Sequence, residues 1–461
     1  MPDPLPDDIA PLVSTASAPP GTERHPTGLK TLIMTEGGLA FSMYGFESLL
    51  VLYVVNHLLK PDVLPHVWGM SAFLPFVQAL YNAHTPNALA AAITGLFLAL
   101  IYVTPMLGGL LADWRLGRTR MVLIGGFLLI AGLICLAIDQ TFLIALALLL
   151  LGLGCTRGIL PAQVGALYAG DDPRRADAYQ LFVLGIQVSV IVSPALCSTV
   201  AQNIGWHAGF LTAGIGMLVG LCFYFIGRRH LPTDTIAGHT HKKVRLTATE
   251  KRTLLILFAI LPLLAVATIS NTDIFNGYLI WADRYYQLTF LGYNMPASWL
   301  VSMDGFVSTF TVLGIVAFWR VWNRYRSDPG EMSKIIIGSM ICTIAPSILA
   351  LGAWIQPGPH HISLAWGIAF HLVNDVGFGL CYATGMALFS RAAPQAVNST
   401  VVAAYSLHLF LGNLLVGKIA GLLGSLSSPV FWLLHVVLAM AATTLLWLFA
   451  RVFRRELSRQ A

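Results

Sequence analysis

Charged side chains are scarce in this sequence. Asp, Glu, Lys and Arg make up 10% of its 461 residues and hydrophobic residues make up 56%, whereas a water-soluble domain carries roughly 25% charged residues. A mean hydropathy of +0.74 excludes a water-soluble fold. The six cysteines all lie inside apolar stretches at no metal-like spacing, so neither a disulfide framework nor a metal site is expected.

Long apolar runs are what the sequence has instead. About 20 mostly apolar residues cross a hydrocarbon core about 30 Å thick, and a helix satisfies every backbone group in lipid. Twelve such stretches lie at 34–58, 87–111, 119–138, 141–163, 178–199, 205–226, 254–281, 299–322, 334–354, 363–388, 398–424 and 428–450. The sequence therefore predicts an all-α membrane protein with twelve transmembrane helices, numbered here as spans 1 to 12.

Basic residues orient these spans. All but four of the 27 Lys and Arg residues lie in or beside the N-terminal tail, the loops after even-numbered spans, or the C-terminal tail; the exceptions are Lys60, Arg157, Arg284 and Lys418. The positive-inside rule then places both termini in the cytoplasm. This bias also explains the net charge of +6. Since no basic groove or aromatic platform accompanies it, nucleic-acid binding is not expected.

A polar segment from Gly227 to Thr253 separates spans 1–6 from spans 7–12. Two six-helix bundles joined by a basic loop form the layout of a transporter with its substrate site between the bundles. The predicted organisation is a disordered cytoplasmic tail (1–30), an N-terminal bundle (31–226), a cytoplasmic linker (227–253), a C-terminal bundle (254–452) and a second tail (453–461). One further segment, 61–86, is predicted to be amphipathic and to lie at the outer surface.

Ionisable residues inside the spans are the candidates for function, because a charge at the centre of a bilayer costs at least about 2.5–3.5 kcal/mol. They are Glu36, Arg157, Asp273, Asp304 and Asp375. Glu36 and Arg157 are predicted to neutralise each other. A carboxylate that alternates between an arginine and water links proton binding to a conformational cycle. The alternative is that Glu36 lies at the interfacial end of span 1 and only reaches water.

The turn after span 2 reads GGLLADWRLGRTR, from Gly108 to Arg120. Asp113 at the helix end is predicted to pair with Arg118 or Arg120, forming a latch between helices in one conformational state. The alternative is a simple loop salt bridge, which contributes at most about 1 kcal/mol.

Six motifs resemble the proton-dependent oligopeptide transporter family of the major facilitator superfamily. They are HPTGLKTLIMTE, GGLLADWRLGRTR, DDPRRADAYQLFVLGIQ, MPASWLVSMDGF, GMALFSRAAP and LFLGNLLVGKIAG, in chain order from span 1 to span 11. The resemblance covers nearly the whole chain. It implies the superfamily fold and proton-coupled uptake of di- and tripeptides or peptide-like solutes by alternating access.

The resemblance also shows where this sequence departs from the family. Span 1 of the family carries Glu-x-x-Glu-Arg-Phe followed by two tyrosines. Glu36 and Tyr44 match that pattern, whereas Leu39 and Ala40 stand in place of the second glutamate and the arginine, and Leu380 replaces a span 10 glutamate.

The carried-over positions imply two sets of site residues. Proton coupling is assigned to Glu36, Asp273 and Asp304, and substrate binding to Tyr44, Tyr102, Arg157, Gln187, Asp304 and Tyr405. No cofactor is implied, since the proton gradient is the driving force. The implied partners are a small-molecule or short-peptide substrate and the lipid bilayer, with the bacterial inner membrane as the location.

Two alternatives remain open at this point. A site without the Glu-Arg pair and the span 10 glutamate favours a solute that lacks the zwitterionic pattern of a peptide. The other alternative is a ligand sensor that binds without transporting. An enzyme is not expected, since the spans contain no His/acid metal cluster motif and no nucleophile elbow.

Overall fold

A computed structural model of the chain describes residues 24–112, 116–169, 172–232, 246–290, 292–453 and 456. Within these ranges, eleven helices are long and apolar enough to cross a membrane, and one bent helix pair completes a twelfth span. In chain order the spans are Thr27–Leu58, Pro86–Leu111, Arg118–Cys135, Asp139–Ala166, Arg174–Asn203, Trp206–His230, Ala248–Ala267 with Ile269–Phe275, Trp299–Tyr325, Glu331–Ile355, Leu364–Ala392, Thr400–Leu422 and Ser428–Val452. The predicted twelve-span helical fold is confirmed.

Several spans are interrupted within the membrane, which the hydropathy pattern did not predict. Span 2 consists of Pro86–Leu100 and Thr104–Leu111. Its break precedes Pro105, which has no N–H and whose ring would clash with the carbonyl group four residues earlier. Span 4 breaks after Thr156, and span 11 breaks after Ala404.

Span 7 departs most from its prediction as one helix over 254–281. The chain bends by 65° between Ala248–Ala267 and Ile269–Phe275, and a separate helix, Gly277–Tyr285, follows. Asn276 has a non-helical backbone and its side-chain amide donates to the carbonyl of Ala91 in span 2, over 3.0 Å. This tertiary contact stabilises the break in span 7, and sequence periodicity does not predict it.

Smaller elements complete the fold. Segment 61–86 contains the 3-10 turn Leu64–His66 and the helix Met70–Tyr81. A hairpin pairs the two-residue strands Thr289–Phe290 and Tyr293–Asn294 in the otherwise helical fold. Two predicted boundaries were wrong. Span 1 begins within the predicted tail, and a Thr247–Glu250 capping box starts span 7 within the predicted linker.

The two bundles are joined mainly in one half of the membrane. We call the end that carries the loops after spans 1, 3 and 5 the outer end, following the predicted topology. Near it, the hydroxyl group of Ser298 in span 8 donates to the carbonyl oxygen of Ser48 in span 1, over 2.7 Å. The indole of Trp299 donates to the hydroxyl oxygen of Thr199 in span 5, over 3.0 Å. These two hydrogen bonds join the bundles near the outer end.

Spans 2 and 11 cross at two glycines that bring their backbones into contact. A β-carbon at Gly95 would lie 2.7 Å from Cα of Gly417 and 2.8 Å from the carbonyl oxygen of Asn413. Small residues permit this close helix packing in lipid, where no hydrophobic effect drives helices together. The contact is therefore sterically specified by glycine.

Replacing Gly95 with alanine is expected to lower the melting temperature of the purified protein, because overpacking at such a contact destabilises by about 1–3 kcal/mol. Gly109→Ala in the same span is the matched control, since a β-carbon there meets no atom within 4 Å. Thermal unfolding in detergent measures both. Equal melting temperatures for the two variants would refute a backbone contact at the crossing.

Candidate substrate and proton site

Arg157 is a cation within the membrane, placed where span 4 breaks between the helices Phe142–Thr156 and Ile159–Ala166. Its guanidinium carbon lies 5.2 Å from the centroid of the Tyr102 ring. Tyr102 itself lies at the break of span 2. Nη1 of Arg157 is buried and has no hydrogen-bond partner within the described ranges. A guanidinium nitrogen that is buried without a partner is stabilised by nearby negative charge, so the position favours an anion.

Two carboxylates of span 1 lie within electrostatic reach of Arg157. Both Glu36 and Glu47 are buried, at 6% and 3% exposure, and each has an oxygen without a hydrogen-bond partner among the described residues. Each interacts electrostatically with Arg157. Eleven positions separate them, about three helical turns, so they share one face of span 1. The burial of Glu36 excludes the simple interfacial position in this conformation.

The charges are close but not in contact. No ion pair within 4.0 Å joins Arg157 to a carboxylate of the described residues. The predicted neutralisation of Glu36 by Arg157 is therefore a longer-range interaction in this state, and Glu47 shares it. Glu47 was not among the predicted site residues. Its spacing of three helical turns from Glu36 is the sequence feature that places it on the same face of span 1.

Aromatic side chains from both bundles surround this charge group. The ring of Tyr44 lies 6.1 Å from that of Phe275 in span 7. Across the interface, Tyr382 of span 10 interacts electrostatically with Arg157 and stacks on Phe378 at 5.4 Å. Half-buried tyrosines offer an apolar wall with a polar tip to a ligand. The site thus lies between the bundles, as the sequence predicts for spans 1, 2 and 4.

Span 10 contributes a side chain that the sequence analysis did not name. Leu380 was matched to the family's glutamate, but it packs toward span 9, where a β-carbon on Gly338 would lie 2.9 Å from its own. Tyr382 is the span 10 residue that faces Arg157. A motif match fixes the position along the chain, not the direction of a side chain.

Two other predicted binding residues have partners inside the protein. Tyr405 is 1% exposed, and its hydroxyl group donates to the carbonyl oxygen of Cys381, over 3.1 Å. Its ring lies in the core of the C-terminal bundle, 5.8 Å from the ring of Tyr382, so a role in ligand binding stays a prediction. Gln187 donates to the hydroxyl oxygen of Thr309, over 2.8 Å, and so bridges spans 5 and 8 near mid-membrane.

Asp304 of span 8 belongs to a cluster that the sequence did not reveal. Nδ1 of His371 lies 2.8 Å from Oδ1 of Asp304, and Nε2 of His371 lies 3.0 Å from the hydroxyl of Tyr278. Asp375 brings its carboxylate within 4.8 Å of the same donor atoms. Two carboxylates this close in a buried site disfavour double ionisation, so the cluster is suited to holding a proton.

Asp273 forms a second acid–histidine pair, completely buried in the C-terminal bundle. Its Oδ2 lies 3.3 Å from Nε2 of His435, and its Oδ1 accepts from the N–H of Gly277, over 2.8 Å. Nδ1 of His435 lies 3.1 Å from the carbonyl oxygen of Phe431, which can only accept. Nδ1 therefore carries a hydrogen, and Nε2 is the ring nitrogen that faces the Asp273 carboxylate. Asp273 is oriented toward span 12 and not toward the group around Arg157.

The predicted latch after span 2 lies partly outside the described residues. Asp113 is not described, whereas Arg118 begins span 3 and Arg120 is exposed. The latch therefore stays a prediction.

An outer vestibule of about 650 Å³ lies between the bundles at their outer end. Asn56 of span 1, Gln202 of span 5, Asp283 after span 7 and Ser298 of span 8 contribute to its lining. Arg157 and the two carboxylates of span 1 are not among its lining residues.

Comparisons with known proteins agree with this architecture. The sequence profile of the Major Facilitator Superfamily matches residues 63–417. A di-/tripeptide transporter of Lactococcus lactis subsp. lactis is 27% identical over 450 residues, covering 83% of this chain and 86% of that protein. A peptide transporter of Yersinia enterocolitica is 23% identical, covering 86% and 88% of the two chains.

Solved structures show the same fold. A crystal structure of a peptide transporter, POT, in complex with sulfate aligns with a TM-score of 0.80 at 19% identity, over 95% of this chain and 96% of that one. A POT family transporter in complex with 5-aminolevulinic acid aligns with a TM-score of 0.77 at 19% identity, over 95% and 98%. The resemblance inferred from the six motifs is confirmed. By the extent of the profile match, the chain belongs to the Major Facilitator Superfamily.

Proposed function

We propose that this protein is a secondary active transporter that takes up di- and tripeptides or peptide-like solutes together with protons across a bacterial inner membrane. The observation that carries the proposal is the partly buried Arg157, unpaired at Nη1, between two bundles and beside two buried carboxylates. Curated relatives of the chain are di-/tripeptide transporters. The N-terminal bundle, Thr27–His230, and the C-terminal bundle, Ala248–Val452, would move as two bodies, with the turn around Asp113 as a latch between states.

The charge group suggests how substrate and proton binding are linked. One arginine faces two carboxylates, so the group is electrically balanced only when one carboxylate is protonated. A substrate carboxylate that binds Nη1 of Arg157 competes with Glu36 and Glu47 for the same cation. Protonation of Glu36 then compensates for the charge that the substrate adds. Release of the substrate toward the cytoplasm restores the attraction of Arg157 for Glu36 and favours release of the proton.

The C-terminal bundle supplies the complementary groups. Asp304 is the member of its cluster with partly exposed side-chain surface, at 16%, and is suited to meet a cationic group of the substrate. His371 orients Asp304 through the contact between its Nδ1 and Oδ1. Asp273 and His435 have no exposed surface, so we assign this pair a proton-holding role without substrate contact.

Uptake of labelled di- and tripeptides into proteoliposomes tests the proposal. We expect accumulation when the lumen is alkaline relative to the bath, and only equilibration after a protonophore collapses the gradient. Because the driving force is the gradient itself, no added cofactor is needed. Absence of uptake for every peptide under an imposed gradient would contradict the proposal.

A second candidate is uptake of a small solute without the zwitterionic pattern. Its support is Ala40, which stands where the family carries an arginine, and Leu380, which stands where the family carries the span 10 glutamate. Uptake of an anionic solute in the same vesicles, without any peptide uptake, would favour it. Ligand binding without gradient-driven accumulation would instead indicate a sensor.

A further inference from the structure

Three metal-ligating side chains meet at the outer end of the N-terminal bundle, away from the group around Arg157. His57 lies in the π-helical end of span 1 (Val54–Leu58), Asp139 in the 3-10 turn that opens span 4 (Asp139–Thr141), and His207 in the first turn of span 6. His57 and His207 lie 82 and 68 residues from Asp139 in the sequence, so no local motif predicts the group. The transport mechanism proposed above uses none of the three.

The donor atoms converge on one point. Nε2 of His57 lies 3.1 Å from Oδ2 of Asp139, and Nε2 of His207 lies 2.8 Å from Oδ1. Ligand atoms around a tetrahedral Zn²⁺ with bonds of about 2.0–2.1 Å are separated by roughly 3.3 Å. All the donor atoms already lie within 4.8 Å of one another. Small rotations of the two imidazole rings are enough to place them around one ion.

A second layer of side chains holds the ligands in place. The hydroxyl group of Tyr53 donates to Oδ1 of Asp139, over 2.6 Å. The ring of Tyr53 is fully buried and packs edge-on against Phe210 and Trp206, with centroids 5.1 and 6.1 Å away. Such hydrogen bonds to a ligating carboxylate orient it and support metal affinity. The packing of Tyr53 against these two rings therefore fixes the position of its hydroxyl group beside Asp139.

The opposite side of the group is open. The side chains of His57, His207 and Asp139 retain 24%, 38% and 22% of their exposure. Two imidazoles and one carboxylate leave a fourth tetrahedral position for water, and the ligand types suit Zn²⁺ and similar transition metals better than Ca²⁺ or Mg²⁺. We propose that His57, Asp139 and His207 form a binding site for one divalent transition-metal ion, with Zn²⁺ as the best match.

Zn²⁺ titration of the purified, tag-free, chelator-stripped full-length protein tests the site, using a chromophoric chelator as competitor. We expect about one zinc per chain that depends on these residues. Asp139→Asn and His207→Gln are each expected to weaken binding by more than ~10-fold, and Tyr53→Phe by roughly 10-fold through loss of the orienting hydrogen bond. His66→Ala is the control, an exposed histidine of the same outer region outside the group.

Thermal unfolding gives a second readout that also reports on folding. Zn²⁺ should raise the melting temperature of the wild type and of His66→Ala, because a bound ion stabilises the folded state. It should not raise that of His207→Gln. His207 is chosen because its side chain is the most exposed of the three ligands. Absence of stoichiometric zinc, or zinc affinity unchanged in folded Asp139→Asn and His207→Gln, would overturn the proposal and leave the group as a hydrogen-bonded contact between helix ends. Neither readout depends on transport, so the result is independent of the proposed function.

Discussion

Replacing Arg157 with glutamine is expected to reduce gradient-driven uptake by roughly 100-fold or more. Removing one partner from a buried charge group costs about 3–5 kcal/mol, and each 1.4 kcal/mol is a tenfold effect. The variant lacks the cation that faces Glu36 and Glu47, and with it the group that would bind a substrate carboxylate. Initial uptake rates in proteoliposomes, with protein content and orientation matched to the wild type, measure the loss.

Arg284→Gln is the matched control for this experiment. Arg284 also lies over a tyrosine ring, 5.5 Å from the centroid of Tyr285, but at the outer end of span 7. We expect near-normal uptake for this variant. Wild-type uptake by folded Arg157→Gln would mean that the charge group between the bundles does not bind the substrate, and the proposed mechanism would then fail.

Replacing Glu36 with glutamine is expected to abolish accumulation against a gradient while preserving exchange. A glutamine approximates the protonated carboxyl group, so the carrier can still bind substrate and change conformation but cannot load and release a proton. The expected signature is loss of proton-driven uptake with counterflow of labelled against unlabelled substrate retained. Measuring both in the same vesicles separates uncoupling from misfolding.

Glu47→Gln provides the comparison within the same helix face. Glu47 is equally buried and also reaches Arg157, so it is the strongest rival for the coupling role. If Glu47→Gln is uncoupled and Glu36→Gln is not, the proton belongs to Glu47 and the assignment to Glu36 is wrong. Intact proton-driven uptake in both single variants would remove span 1 from the coupling mechanism.

The twelve spans could be predicted from sequence because each span's apolar length is a local property. Arg157 and Glu36 could also be predicted, since a charge in an apolar run is visible without knowledge of its neighbours. The breaks in the spans were not predictable in the same way. The end of span 7 depends on a hydrogen bond from Asn276 to Ala91, a residue in the other bundle.

The direction in which a side chain points could not be predicted from the sequence either. Tyr405 occupies a motif position but packs into the core of its own bundle, whereas Tyr382, in no motif, faces the arginine. His371 and His435 are single histidines in apolar helices. Their role is visible only from their contacts with Asp304 and Asp273, which are far from them in the sequence. These pairings are properties of the tertiary structure.

The glycine contact between spans 2 and 11 divides span 2 into a short outer part and a longer inner part. Gly95 is nine residues from the outer end of span 2 and sixteen from its inner end, or about 14 Å and 24 Å at 1.5 Å per residue. If the crossing acts as the fulcrum of a lever, a rotation that parts the outer ends by a given distance moves the inner ends nearly twice as far. A rigid rotation about this contact would therefore move the inner end of span 2 further than its outer end.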